Sequence, residues 1–380
     1  MRLPLHGALL GALLACEGAP VNAVDSAAVD APGVDSAAPD TAVAADSTAP
    51  DVAVQDTTVA DTAEAAVRDS APAADAVGAP GRYFPPGSPW TRDVSSAPVD
   101  AESSGVIAAL AAAGGWGTGT FRVEFSLDVL DGDATTPLQA FTRTEDFFSP
   151  DCDNVPMPVP PGGNLEGETG YACLSDGDCH LIVLHAPTRR LYEMWRADLR
   201  GTTFRGGCLA VWDLSRVYPD NGRGDPCTSA DAAGFPIAPL LATADEVGAG
   251  QVPHALRFVL PNDRIRRRVY VRPATHSTGA TSGPATAIPY GARLRLRADY
   301  PLARLPNDGA RAVARALQRY GMLLSDGGNI ALTVQSDRHS RRRWEGTLGT
   351  RDLSMLQVTD FAMVEAGRRY TFNTDCVRAP

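Results

Sequence analysis

His180-Leu-Ile-Val-Leu-His185, the turn residues Pro187-Thr-Arg-Arg190 and the run Leu191-Tyr-Glu-Met-Trp195 decide the fold class. The first run is short, apolar and bounded by turn residues, which reads as a strand. The second returns after a brief turn, as a hairpin partner does. The same pattern recurs along the chain. Phe121-Arg-Val-Glu-Phe-Ser-Leu127 alternates, and Cys208-Leu-Ala-Val-Trp-Asp-Leu214, Ala255 to Leu260, Val269 to Arg272 and Ile330-Ala-Leu-Thr-Val334 are further short strands. In Gly291-Ala-Arg-Leu-Arg-Leu-Arg-Ala298 the alternation sets Leu294 and Leu296 on one face and Arg293, Arg295 and Arg297 on the other. Such an arginine row reads as the wet face of an edge strand.

Helical signals are few. Residues 104–113 are capped by Ser103 or Ser104 and stopped by Gly114-Gly115. Residues 308–320 start at Asn307 or Asp308, present Val313, Ala316, Leu317 and Tyr320 on one face, and end at Gly321. No βαβ alternation, phosphate-binding glycine loop or Gly-x-Ser-x-Gly elbow occurs. The expectation is a mainly β domain over residues 81–380, a sandwich or barrel with one or two short helices.

Upstream the composition changes. Arg2 and the apolar run Leu5–Ala15 read as a signal segment over 1–15, too short to span a bilayer as a helix. It ends Leu13-Leu14-Ala15-Cys16, which resembles the lipobox of bacterial lipoproteins. That resemblance implies lipidation at Cys16, a membrane partner through the lipid, and a place in the cell envelope, on the outer membrane or cell surface. Residues 16–80 are almost all Ala, Asp, Val, Ser, Thr and Pro, without aromatic residues, and read as a disordered tether. The formal net charge of −11 is that of this tether, so the remaining domain is close to neutral and gives no charge argument for nucleic acid. Every basic residue is Arg. Six cysteines remain after Cys16, an even number in an exported chain, which reads as up to three disulfides of open connectivity. Cys173 and Cys179 are close enough to pair, and Cys376 is placed to tie down the C-terminal segment.

Potentially reactive groups concentrate between Cys227 and His276. His180, His254 and His276 each stand at the end of a strand-like run and are expected to converge at one end of a sheet. Glu193, Asp231, Glu246 and Asp326 are the carboxylates available to a hydrolase, which needs two of them about 5–10 Å apart. A lyase needs a base and a cation to neutralise a uronate, types supplied by His254, Arg257, His276 and Tyr290. The alternative roles are ordinary: Asp231 as a turn cap, Asp245-Glu246 as solvated loop charge, Arg257 as partner of a buried acid, Arg338–Arg343 as a solvated loop. Cys227 reads as a disulfide staple. The catalytic candidates are therefore His180, Glu193, Asp231, His254, Arg257 and His276, with no cofactor expected and no metal assigned.

The series Gly177-Asp178-x-His180-Leu-Ile-Val, Leu191-Tyr-Glu193, Thr228-Ser-Ala-Asp231, Asp245-Glu246-Val, His254-Ala-Leu-Arg257-Phe, Pro273-Ala-x-His276 and Gly291-Ala-Arg-Leu-Arg-Leu resembles a group of secreted bacterial proteins, some attached to carbohydrate-binding modules. The resemblance spans roughly residues 85–365 and implies an extracellular setting and a polysaccharide partner; no reaction comes with it. The expected function is a cell-surface carbohydrate-active protein, a polysaccharide hydrolase or lyase. The alternative is a non-catalytic surface lipoprotein that binds polysaccharide or another envelope component.

Overall fold

The computed structural model describes residues 83–175 and 177–379. The signal segment 1–15, the lipidation position Cys16 and the tether 16–80 lie outside the described residues.

The fold is mainly β, with multiple sheets and three short α-helices. The hairpin forms as its residues dictate. Leu181–His185 pairs antiparallel with Arg190–Trp195, with Leu184 opposite Leu191, across a turn closed by Arg189 at φ 51. Cys208–Asp213 adds on one side and Val129–Gly132, parallel, on the other. Both faces of this four-stranded sheet are covered. Ile182, Leu184, Leu191 and Trp212 join a large core, whereas Leu181, Val183, Met194 and Leu209 join a smaller one. Two buried faces explain why the run is continuously apolar rather than alternating.

A six-stranded sheet supplies the other side of the large core. Its order is Val123–Leu127, Leu332–Gln335, Leu256–Leu260, Met322–Gly327, Arg293–Leu296, Phe361–Met363. Leu256–Leu260 and Met322–Gly327 run parallel, so the chain must cross over between them; the helix Asp308–Arg319 lies on that crossover and packs against Arg293–Leu296. Asn307 Oδ1 accepts the Ala310 N–H at 2.8 Å as its N-cap, and Gly321, at φ 69, ends it. The sheet has two ends and does not close, so the architecture is sandwich-like rather than a barrel.

Two expectations are corrected here. The arginine row is not a wet edge. Arg293–Leu296 has neighbours on both sides, and the segment Pro89–Ala97 crosses its arginine face. Arg293 donates to the Pro89 carbonyl at 2.7 Å, and Arg295 donates to the carbonyls of Val94, Ser95 and Ala97. The guanidinium fork satisfies several backbone acceptors that have no sheet partner. Nor is Asp245-Glu246 loop charge. A third helix, Ala244–Gly248, begins there, with Thr243 and Glu246 forming a capping box. Asp245 accepts the backbone N–H groups of Arg341 and Arg342, docking part of the arginine-rich loop.

Three disulfides form: Cys152–Cys208, Cys173–Cys179 and Cys227–Cys376. Around them the strands are short. Gly224–Asp225 pairs with Val377–Arg378, and Arg369–Thr371 pairs with Ile265–Val271.

Candidate functional site

A cavity of about 710 Å³ opens where these disulfide-bonded segments meet. Its wall comes from residues 147–151, 226–232, 276–279 and 372–374, with Asp178, Trp195, Cys208 and Asp326. Each disulfide holds one part of that wall. Cys152–Cys208 anchors the first segment, Cys173–Cys179 the approach to Asp178, and Cys227–Cys376 ties 226–232 to 372–374. Apolar surface is supplied by Phe147, Phe148, Trp195 and Phe372. The Trp195 indole N–H donates to Asp178.

Asp231 and Asp326 line the cavity and share one arginine behind it. Arg257 Nε reaches Asp231 Oδ1 at 3.1 Å, its Nη2 reaches Asp326 Oδ2 at 3.0 Å, and its Nη1 donates to Thr333 Oγ1 at 3.0 Å. Asp231 also accepts from the Ser325 hydroxyl and from the backbone N–H groups of Ala233 and Phe235. Its side chain is 0% exposed, against 28% for Asp326. Both sequence readings of Asp231 thus hold together: it caps the 231–235 turn and it pairs with Arg257. Burial raises the Asp231 carboxyl. Burial, reinforced by the neighbouring Asp231 charge and opposed by Arg257, pushes Asp326 up to about 6. Asp326 is the carboxyl of this pair that a ligand can touch.

His276 stands in the same wall. Its Nδ1 lies 2.8 Å from the Ala232 carbonyl, which only accepts, so the proton sits on Nδ1 and Nε2 carries the lone pair. Burial lowers its pKa, keeping the ring neutral near pH 7. Phe372 holds the ring edge-on at 4.6 Å.

The other predicted residues do not join them, and the expected convergence of three histidines does not form. His180 lies behind the wall, Nδ1 2.6 Å from Glu166 and Nε2 3.1 Å from the Ala230 carbonyl. Two acceptors leave no free lone pair on that ring. Burial opposes its charge, but the Glu166 carboxylate outweighs burial and pushes His180 up to about 9, so it is a structural cation rather than a base. His254 is likewise engaged at both nitrogens, by the Ala255 carbonyl at 2.8 Å and Glu246 at 3.4 Å, and fastens the helix Ala244–Gly248 to the start of a central strand. Glu193 is wholly buried; it accepts from the N–H groups of Ile237 and Ala238 and from the Trp212 indole. Arg257 supports the two aspartates and is not itself in the lining. Glu246 is occupied by its capping box. Tyr290 is buried and also outside the lining.

Two groups with metal-ligand residue types occur among the described residues, Asp151/Cys227/Cys376 and Glu168/Cys173/Cys179. In each the cysteines are joined as a disulfide, so neither offers thiolates. The reactive inventory of the cavity is therefore an acid that keeps its proton to about pH 6, a neutral imidazole with an open nitrogen, and aromatic walls.

Sequence reasoning did not select Asp151, Phe147, Phe148 or Phe372 as lining residues. A signal for them existed: each lies within five residues of a cysteine that proves to be a staple. Comparison with protein-family models, with curated proteins and with solved structures yields no match for this chain.

Proposed function

We propose that this is a cell-surface carbohydrate-active protein, held to the envelope by lipid on Cys16, whose cavity binds and hydrolyses a polysaccharide. The observation that carries the reading is the pairing, on one aromatic-walled cavity, of Asp326 with a raised pKa and His276 with a free Nε2. Aromatic faces suit the apolar faces of sugar rings, and a carboxyl that retains its proton suits a glycosidic leaving group. In the proposed step Asp326 gives its proton to the departing glycosidic oxygen. Water attacks the anomeric carbon as its proton passes to His276 Nε2, and the two ionised groups then exchange protons with solvent.

Against a lyase acting on uronates stands the lining itself, which includes no arginine. Arg257 is committed to Asp231 and Asp326, and the Arg293/Arg295 face is covered by Pro89–Ala97.

A second reading, non-catalytic polysaccharide binding, is favoured by one specific observation. Asp231 has both oxygens engaged, so no pair of ligand-accessible carboxylates exists at Arg257. A polysaccharide panel assayed for new reducing ends separates the two. Hydrolysis predicts activity that is greatest near pH 6 and lost in both Asp326→Asn and His276→Ala with near-ultraviolet circular dichroism unchanged. Saturable binding without new reducing ends supports the second reading, and neither result on any polysaccharide removes both.

A further inference from the structure

Four carboxylates, Asp151, Asp178, Asp231 and Asp326, line the cavity, and no Arg does. The cations nearest to them are already committed. Arg257 is shared by Asp231 and Asp326, and His180 is matched by Glu166. His276 is neutral, with its one ring proton turned to a carbonyl. The lining thus carries more acid than nearby base, inside a wall where low dielectric strengthens each interaction.

The aromatic residues point the same way. A guanidinium already rests about 5 Å from the ring centroids of Phe147, Trp195 and Phe372, from Arg143, Arg196 and Arg268 respectively. None of those three arginines is in the lining. Fixed aromatic rings beside carboxylates form a surroundings that favours an ammonium over a neutral amide and opposes a carboxylate.

We infer that the ligand of this cavity is a cationic glycan, an oligosaccharide of hexosamine units whose amines are free rather than acylated. This rests on the carbohydrate reading above and narrows it. The amine would be held by Asp178 and Asp326, while the ring faces lie on the aromatic wall. Polyuronates, the substrates of the lyase expectation, are excluded by the same charge.

Isothermal titration of the intact, oxidised protein tests this under mildly acidic conditions, where the amine is protonated. The probes are glucosamine hexamer, N-acetylglucosamine hexamer and an oligogalacturonate of the same length. Glucosamine hexamer should bind about tenfold or more tighter than its acetylated counterpart. That difference should shrink as salt is raised. Asp178→Asn should narrow it further, and the oligogalacturonate should not bind. The wild-type comparison needs no variant to fold. Equal or tighter binding of the acetylated hexamer overturns the cationic inference and leaves the carbohydrate reading standing. Binding of neither hexamer overturns both.

Discussion

In the four-stranded sheet, Leu184 faces Leu191, and Trp212 is walled by Phe84 and Tyr218 at 6.2 and 5.1 Å. Around the cavity, the segments 147–151, 226–232 and 372–374 contain little regular structure, and disulfides take the place of strand ladders. The first region is shaped by burial, which is non-directional and tolerant of change. The second is shaped by a few covalent and ionic fastenings, each of which fixes a particular side chain. Order in the cavity should therefore be lost by single chemical changes that the sheets would survive.

The largest expected effect is at Cys227–Cys376, which closes a span of 149 residues. In the chain-entropy description such a loop contributes about 5 kcal/mol. Cys227→Ser with Cys376→Ser should lower the denaturation midpoint accordingly and abolish ligand binding. Wild-type affinity in that double variant would break the comparison, because the wall would then hold itself. Arg257→Met comes next. It strands Asp231 in a buried site without its counter-ion, which costs about 3–5 kcal/mol. Chemical denaturation should show that loss shrinking toward acid pH, where Asp231 takes up a proton.

Glu193 tests the sheet region by pH. Burial pushes its carboxyl up to about 7 from an ordinary 4.5, so the folded chain binds the proton more tightly than the unfolded one. Stability should therefore fall as pH rises from 4.5 through 7, by about 3 kcal/mol in the limit, and Glu193→Gln should flatten that slope. His180 adds a fall in a higher window. Its pKa is raised to about 9, so the stability it contributes is complete below 6.5 and lost as pH rises through 9. The smallest effect is at the capping box. Thr243→Ala should cost about 1 kcal/mol and leave cavity binding unchanged. A loss of affinity there would show the helix Ala244–Gly248 to be coupled to the wall.

The same division separates what could be read from the chain. Strand runs and both long helices were legible because period, caps and glycine stops are local properties. The arginine row shows the limit. Alternation assigned Arg293 and Arg295 to one face, but whether that face is wet depends on Pro89–Ala97, about two hundred residues away in sequence. The histidines show another. Odd spacing separated His180 from His185, yet nothing local announced that His180 and His254 would each meet two acceptors. Asp231 and His276 were chosen for their chemistry and do line the cavity; the chemistry alone could not distinguish them from Glu193, which serves a backbone turn instead. The disulfide partners were beyond spacing arguments, apart from the short Cys173–Cys179 loop.

The segment that leads into the domain has a mechanical consequence. Arg189 donates to the Tyr83 carbonyl at 2.8 Å, and Phe84 meets Trp212 of one sheet. A few residues on, Ala255 donates to the Trp90 carbonyl at 2.7 Å and Arg293 to that of Pro89, both beside the other sheet. A pull on the chain ahead of Tyr83 is thus shared between both sheets within a dozen residues. No cavity-lining residue belongs to that stretch. Drag on the leash should be absorbed at this seam, leaving the shape presented to a ligand unchanged while the domain is tugged.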